Sequence, residues 1–257
     1  MYKEDILEDD KSRTLRNRNN LFKNKNLLYW YENLYNTQFS GIEGLSGKVI
    51  IEIGSGISPL KYFYDYVITS DVMNLDYLDH NFDCHHIDKY DSIPDGSVDI
   101  ITMTNVLHHL YDPIVCLKKM HSKLKKSGII IMLEPYFSIL SNIIYKYLHH
   151  ESSIFDIDNP QIKEVEGPLS SSNIAIPYML FFSNRGWEKE IADIYDFSNT
   201  SINYYSALSY MVTGGISTKI PIPFFLYKWL FGLDRYLATE FPRIFSSFFI
   251  IRLVKKG

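Results

Sequence analysis

Residues 49–60 read Val49-Ile50-Ile51-Glu52-Ile53-Gly54-Ser55-Gly56-Ile57-Ser58-Pro59-Leu60, and this stretch decides the fold class. Its β-branched run predicts a buried parallel strand, which ends in a Gly-x-Gly turn that opens a helix. Glycines in such a turn let the backbone approach a ligand closely, and the free amides of the helix start favour an anionic group. Pro59, preceded by Ser58, stands where a dinucleotide fingerprint would have its third glycine, which argues against a pyrophosphate site.

Strand-like and helix-like segments alternate after this turn. Short apolar runs that predict strands lie at Val67–Ser70, Cys84–Ile87, Val98–Met103 and Ile129–Leu133. Between the last two, Pro113–Leu124 carries apolar residues on one helical face. This alternation implies crossover connections and a mostly parallel sheet that is covered by helices on both sides. The sequence therefore predicts an α/β protein.

The N-terminal segment precedes this alternation. Residues 1–13 are charged, and we expect them to be frayed. In Thr14–Phe39 apolar residues recur at helical spacing, which predicts one or two helices that pack onto the following domain or act as its lid. We therefore interpret residues 1–47 as an N-terminal helical cap.

The segment after the fifth predicted strand is irregular. Residues 134–185 are too long for an ordinary connection, which indicates a functional insertion. Ile194–Phe197 and Ser247–Val254 predict a sixth and a seventh strand that form an antiparallel edge, and Tyr204–Val212 predicts a helix. No internal repeat or low-complexity linker occurs. We predict one domain, residues 1–257, with a cofactor-binding core at 48–135 and with an acceptor pocket and the C-terminal strands at 136–257.

The composition fits a folded globular protein. The net charge of −4 offers no basic surplus for a nucleic-acid backbone, so we predict no nucleic-acid partner. Cys84 and Cys116 have no metal-type spacing and read as core residues, so we predict no metal site. No export signal and no apolar run of about 18 residues is visible, which makes the cytoplasm the expected location.

Polar residues follow the predicted strands at regular places. Asp71 ends the second strand, where an acid can accept both hydroxyls of a ribose. Asp88 ends the third, and a Pro-Asp-Gly-Ser-Val-Asp segment at 94–99 leads into the fourth. After the fourth strand the chain reads Asn105-Val106-Leu107-His108-His109-Leu110-Tyr111-Asp112-Pro113.

In this order the motifs resemble those of the class I, Rossmann-like S-adenosylmethionine-dependent methyltransferases, in particular the type 11-like group. The resemblance covers about residues 48–135 and ends with Leu-Lys-Lys-Ser-Gly-Ile-Ile-Ile-Met-Leu-Glu-Pro at 124–135. It implies a three-layer sandwich around a seven-stranded sheet and S-adenosylmethionine as cofactor. It places Glu52, Gly54, Ser55, Gly56 and Asn105 near the methionine part. It places Asp71 at the ribose and Val72, Asp88 and Lys89 near the adenine.

The general base that would deprotonate the methyl acceptor is harder to find. A sulfonium methyl group is already activated, and a base helps only some acceptors. His149 and His150 lie in the predicted insertion and are followed by Glu151, which could orient one of them; a polar helix end or an incomplete metal pair would look the same. Glu134, just after the fifth strand, and His109 are the other candidate catalytic residues.

A weaker resemblance concerns the C-terminal half. Glu-Pro-Tyr-Phe-Ser-Ile-Leu-Ser from 134, Gly-Pro-Leu-Ser-Ser-Ser-Asn from 167 and Tyr-Met-Val-Thr-Gly-Gly-Ile-Ser from 210 are similar to methyltransferases of bacterial surface-polysaccharide gene clusters. This similarity implies a small-molecule, nucleotide-sugar or glycolipid acceptor and O-methylation in glycan biosynthesis. The alternatives are a lipid or quinone methyltransferase and a non-catalytic regulator that binds the same cofactor.

Two C-terminal segments are unusually apolar. They are Phe224–Phe231 and Ile244–Ile251. We interpret both as core, and the alternative is a lipid-facing surface with peripheral membrane contact. The sequence does not indicate an oligomeric state.

Overall fold

A computed structural model of the protein describes residues 2–147, 151–206 and 208–257. Its strands are β1 (Ile50–Ile53), β2 (Ile68–Asp71), β3 (His80–Asn81), β4 (Val98–Thr104), β5 (Leu124–Pro135), β6 (Tyr195–Tyr205) and β7 (Phe248–Lys255). They form one seven-stranded sheet in the order β3-β2-β1-β4-β5-β7-β6. The first five strands are parallel, whereas β7 pairs antiparallel with both β5 and β6. This confirms the predicted α/β Rossmann-like sheet with its antiparallel edge.

The helices lie on both sides of this sheet. They are α1 (Glu4–Phe22), α2 (Lys25–Gln38), α3 (Leu60–Phe63), α4 (Pro113–Lys123), α5 (Ile139–Tyr147), α6 (Ala175–Phe182), α7 (Leu208–Met211), α8 (Phe224–Glu240) and α9 (Pro242–Phe245). Short 3-10 helices occur at Leu45–Gly47, Cys84–Lys89, Leu107–His109 and Trp187–Glu190.

Neighbouring residues of the central strands enter two different cores, because side chains alternate between the faces of a sheet. One core, which includes α2 and α8, contains Ile50, Ile100, Ile131 and Ile250. The other core, which includes α4 and α6, contains Ile51, Ile101, Ile130 and Ile251. The continuous apolar runs in the sequence are thus explained by burial on both faces.

The third strand lies earlier than predicted. It is the two-residue β3, whereas the predicted strand Cys84–Ile87 is part of a 3-10 helix. Asp83 starts this helix, because its side chain accepts a hydrogen bond from the His85 amide at 2.9 Å. The short side chain of Asp83 therefore ends the extended backbone before the apolar residues begin.

The sixth strand is longer than predicted and continues to Tyr205, so the predicted helix at Tyr204–Val212 is wrong in its first residues. Tyr205 pairs with Phe248 across the sheet and packs edge-on against Trp30. The aromatic segment could also have formed a helix, but these tertiary contacts hold it in an extended conformation.

The N-terminal residues are not frayed as expected, since α1 begins at Glu4. Asp10 is fully buried, and its Oδ2 accepts hydrogen bonds from the amides of Leu169 and Ser170 at 2.9 and 3.1 Å. A charged residue in the sequence thus ties α1 to a distant loop.

The interpretation of Phe224–Phe231 as core is correct for only one side of α8. Tyr227 and Phe231 are buried, but Phe225 and Trp229 are 79% and 64% exposed. The predicted strand Ser247–Val254, in contrast, is β7 shifted by one residue. No described helix is both long and apolar enough to cross a membrane.

Candidate functional site

The Gly-x-Gly turn lies at the carboxyl end of β1, beside the ends of β2 and β4. Gly54 has a φ of +76°, and an added Cβ would lie 2.4 Å from Val106 Cγ2. The Gly56 amide donates to Asp71 Oδ2 at 2.9 Å, so the turn and the second strand are joined directly. Only glycine fits position 54, because it tolerates this φ and leaves room for the segment after β4.

Asp71 is buried at the same edge. Its Oδ1 accepts from the Met73 amide at 2.9 Å, while Oδ2 accepts from the Gly56 amide. Burial raises the pKa of Asp71, and these amide hydrogen bonds oppose that rise. The carboxylate is thus held in one orientation, with lone pairs left for a ligand, as a ribose site requires.

A cavity of about 560 Å³ opens at this edge of the sheet. Of the residues predicted to bind the cofactor, Gly54, Gly56, Asp71, Val72 and Asn105 line it. Glu52 and Ser55 are buried below the turn. Asp88 and Lys89 do not line the cavity, because the early end of β3 puts Phe82, Asp83, Cys84 and His85 there instead. Asp83 is thus the acid after β3 that lines the cavity, and the adenine role of Asp88 and Lys89 stays a prediction.

The chemistry of this end of the cavity fits the expected cofactor. Asn105 has a φ of +56°, and its buried Oδ1 has no hydrogen-bond partner among the described residues. Glu52 Oε1 accepts from Ser58 Oγ at 2.5 Å, and burial raises the pKa of Glu52 to about 7. A buried acceptor without a partner calls for a ligand donor, and a cationic sulfonium compound with an amino group supplies both donor and charge.

Helix α1 contributes residues that sequence analysis did not identify. Arg13, Thr14 and Asn17 line the cavity. The Arg18 guanidinium donates to Ser58 O at 2.6 Å and lies 4.2 Å from the centre of the Tyr77 ring. The helical periodicity of the segment was visible, but which face meets the glycine turn depends on tertiary packing.

His108 and Glu134 form a buried ion pair beside the cavity. His108 Nδ1 lies 2.6 Å from Glu134 Oε2, while Glu134 Oε1 accepts from the amides of Val106 and Leu107 at 2.9 and 2.6 Å. Burial alone would lower the pKa of His108, but Glu134 and Glu151 outweigh it and raise this pKa to about 10. His108 is therefore an imidazolium at neutral pH.

Glu134 was predicted as a candidate base at the mouth of the pocket. It is fully buried, does not line the cavity, and both its oxygens accept hydrogen bonds. The geometry thus gives it the part of a positioning residue that fixes the segment after β4 and the ring of His108.

His109 differs from its neighbour in protonation. Burial, followed by the charge of His108, lowers the pKa of His109 to about 4. Its Nδ1 lies 3.0 Å from Ser171 O, which favours the tautomer with the proton on Nδ1. Nε2 then carries a lone pair, 3.9 Å from Glu151 Oε1. Both His109 and Glu151 line the cavity.

Glu151 thus lies beside His108 and His109, whereas the sequence had suggested that it orients the adjacent histidines. His149 and His150 lie outside the described residues, so their catalytic role stays a prediction. No signal in the sequence paired Glu151 with a segment more than 40 residues earlier.

Among the described residues, two groups of side chains have ligand atoms close enough together to hold a cation. His108, His109 and Glu151 form one group; Cys84, His85 and Cys116 form the other. A metal would have to displace the proton of His108, and burial raises the pKa of the Cys116 thiol well above its usual value. Protonation therefore opposes metal binding in both groups at neutral pH.

The pH dependence of stability provides a test of the His108 ion pair. A histidine whose pKa is raised on folding stabilises the fold fully below its unfolded pKa, and this contribution is lost as the pH rises through the folded value. We expect the free energy of unfolding to fall between pH 7 and 10, by up to about 1.4 kcal/mol per pH unit from this group. Denaturant titrations of the wild-type protein and of His108→Gln measure the difference. If the free energy of unfolding depended on pH equally steeply in both proteins, His108 would not be held as an imidazolium by Glu134.

The C-terminal half of the chain also lines the cavity. Pro168 and Leu169 line it, together with Tyr210, Met211 and Ile216. These belong to the Gly-Pro-Leu-Ser-Ser-Ser-Asn and Tyr-Met-Val-Thr-Gly-Gly-Ile-Ser segments noted in the sequence. Tyr31 of α2 and Tyr145 of α5 complete an aromatic wall.

Comparison with known proteins gives a consistent result. The model of a methyltransferase domain family matches residues 30–210 of the chain. No curated protein matches it in sequence. Among solved structures, it resembles an S-adenosylmethionine-dependent methyltransferase from Archaeoglobus fulgidus, with 18% identity, a TM-score of 0.47, and coverage of 88% of this chain and 94% of the other.

Two further solved structures are similar at lower identity. One is an S-adenosylmethionine-dependent methyltransferase from Mesorhizobium loti, with 12% identity, a TM-score of 0.43 and coverage of 86% of this chain and 96% of the other. The second is a phosphoethanolamine N-methyltransferase from Haemonchus contortus, in complex with phosphomonomethylethanolamine and S-adenosylhomocysteine. It has 11% identity, a TM-score of 0.46, and coverage of 89% of this chain and 53% of the other.

Proposed function

The chain belongs to the methyltransferase domain family and uses S-adenosylmethionine, and we propose that it methylates a hydroxyl group of a sugar-type small molecule. The observation that carries this proposal is the state of His109, a neutral imidazole that lines the cavity and whose Nδ1 lies 3.0 Å from Ser171 O, which leaves the lone pair on Nε2. A hydroxyl acceptor must lose a proton during methyl transfer, and a neutral imidazole can receive it.

The cofactor supplies an activated methyl group, so the protein has to bind the cofactor and the acceptor, align them with each other and exclude water. Asp71 would hold the ribose hydroxyls, and the turn at Gly54 and Gly56 would let the backbone approach the ligand. Glu52 and Asn105 would lie near the methionine part, and Asp83 and Val72 near the adenine.

The proton of the acceptor goes to His109 Nε2. Although a pKa of about 4 makes this nitrogen a weak base, a hydroxyl oxygen that is gaining a methyl group becomes strongly acidic, so a weak base suffices. Glu151 Oε1, 3.9 Å from Nε2, stabilises the imidazolium as it forms. Glu134 and His108 position the segment that carries His109.

A sugar-type acceptor matches the tyrosines that line the cavity. Burial raises the pKa of Tyr210 to about 12 and that of Tyr31 well above its usual value, so both phenols stay neutral. Such rings contact the apolar face of a sugar while their hydroxyls form hydrogen bonds. A nucleotide-sugar or glycolipid of surface-polysaccharide biosynthesis, in the cytoplasm, has this chemistry.

A lipid or quinone acceptor is the second candidate. One observation favours it: α5 lines the cavity with Ile144 and Tyr145 and exposes Ile139 and Ile143 on its other side. An apolar acceptor could therefore approach along this helix from a membrane.

The test is transfer of label from methyl-labelled S-adenosylmethionine to separated pools from host cells, one of water-soluble nucleotide-sugars and one of membrane lipids. We expect label in a sugar-containing product that survives mild base, as an O-methyl ether does. Label only in a quinone or a sugar-free lipid would reject the sugar acceptor. Cofactor binding without label in either pool would reject both candidates.

A further inference from the structure

Helix α8 is apolar on two opposite sides. Its buried side carries Tyr227, Phe231 and Ala238. Phe231 and Tyr227 pack edge-on against Tyr29 of α2, with ring centroids 5.3 and 6.2 Å apart. A surface helix normally exposes charged residues opposite such a side. This helix instead exposes Phe225, Leu226, Trp229, Leu233 and Tyr236.

The exposed apolar side of α8 continues onto two neighbouring helices. Helix α9 contacts both α5 and α8. Ser138 Oγ, just before α5, donates to Ile244 O of α9 at 3.0 Å, and Ser246 Oγ donates to Ala238 O of α8 at 2.9 Å. These helices and their junction add further exposed side chains, namely Ile139, Ile143, Tyr147, Phe241 and Ile244. We call these ten residues the apolar surface.

The apolar surface is concentrated rather than scattered. It holds ten of the eighteen exposed large hydrophobic residues among the described parts of the chain, on α5, α8, α9 and the junction between α8 and α9. Single exposed apolar residues are ordinary, but a contiguous group of this kind marks an interaction site. Trp229, Tyr236 and Tyr147 are the residue types that favour a membrane–water interface.

The charges around the apolar surface favour one partner. Exposed Lys146, Lys228 and Arg243 lie on its three helices, whereas Glu240 is the exposed acid on them. The whole chain is acidic, with a net charge of −4. A local excess of cations beside apolar side chains complements an anionic lipid surface. A second copy of the same surface would bring like charges together.

We propose that the apolar surface binds the protein peripherally to an anionic lipid bilayer, with α8 lying in the interface plane. Helix α5 belongs both to this surface and to the wall of the cavity, so the bilayer would lie beside the acceptor end of the site. The inference does not rest on the identity of the acceptor, because it concerns binding to the bilayer and not methyl transfer.

The experiment is flotation of the full chain with vesicles of phosphatidylcholine, with or without phosphatidylglycerol. We expect binding to the phosphatidylglycerol vesicles, weaker binding to phosphatidylcholine alone, and weaker binding at high salt. Trp229→Ser should lower the vesicle partition coefficient about tenfold, and Lys228→Glu with Arg243→Glu should remove the preference for the anionic lipid.

A matched control comes from Tyr62→Ser, because Tyr62 is 64% exposed like Trp229 but belongs to α3, away from the apolar surface. All variants should bind S-adenosylhomocysteine like the wild-type protein, which shows that they fold. Absence of wild-type binding to either vesicle would overturn the proposal, as would equal losses in Trp229→Ser and Tyr62→Ser. A wild-type dimer that becomes monomeric in Trp229→Ser and does not float would identify a self-interface instead.

Discussion

His109→Ala is expected to lower kcat by about two to four orders of magnitude, the usual contribution of a positioned base. The dissociation constant of S-adenosylmethionine should change little, since His109 is not among the residues proposed to hold the cofactor. The effect on kcat is large because His109 is the proposed proton acceptor. His109→Gln keeps the size of the side chain and should be equally impaired. Single-turnover kinetics and calorimetric cofactor titration measure the two quantities.

His86→Ala is the matched control, because His86 is exposed on the 3-10 helix after β3. The pH profile separates a base from a structural residue. With the pKa of His109 at about 4, the wild-type rate should be flat above pH 6, with no inflection near the usual histidine value. A His109→Ala enzyme with normal kcat, or a loss shared with His86→Ala, would contradict the role of His109.

Asp71→Asn is expected to weaken cofactor binding about a hundredfold. The substitution removes the charge that strengthens hydrogen bonds to two ribose hydroxyls, and bonds to charged groups contribute about 1.5–3 kcal/mol each. The substitution also places an amide NH₂ group, which is a donor, near the backbone amides of Gly56 and Met73. In the native protein the carboxylate accepts hydrogen bonds from both of these amides. Calorimetry with S-adenosylhomocysteine gives the affinity.

Asp76→Asn is the control for this effect, because Asp76 is an exposed residue of the same loop. Thermal unfolding without ligand shows whether Asp71→Asn remains folded. A folded Asp71→Asn protein that binds S-adenosylhomocysteine as tightly as Asp76→Asn would show that the ribose lies elsewhere.

Much of the sheet could be predicted from sequence, because buried parallel strands leave continuous apolar runs and their ends carry the ligand-binding turns. β1, β4 and β5 are of this kind. β3 was misplaced because a two-residue strand has no hydrophobic pattern, and because the Asp83 side chain starts a 3-10 helix right after it by accepting a hydrogen bond from the His85 amide. The extension of β6 to Tyr205 depends on packing against Trp30, which no local pattern reveals.

The candidate site divides in the same way. Gly54 and Gly56 form the turn after β1, and Asp71 ends the neighbouring strand β2, so their spacing along the chain indicates that they meet in the fold. The grouping of His108, His109, Glu134 and Glu151 depends on the path of a long insertion. The residues were visible as candidates, but their protonation states follow from burial and mutual charge.

The buried carboxylate of Asp10 supports the cofactor site from outside the cavity. Thr14, one helical turn further along α1, lies so close to the glycine turn that a Cβ on Gly56 would be 3.0 Å from its Cγ2. Helix α1 thus covers the cofactor end of the cavity, and Asp10 fastens it to the loop at 169–170. Loss of the Asp10 carboxylate is therefore expected to loosen one wall of the cofactor site without removing a group that lines it, since Asp10 is not among the lining residues.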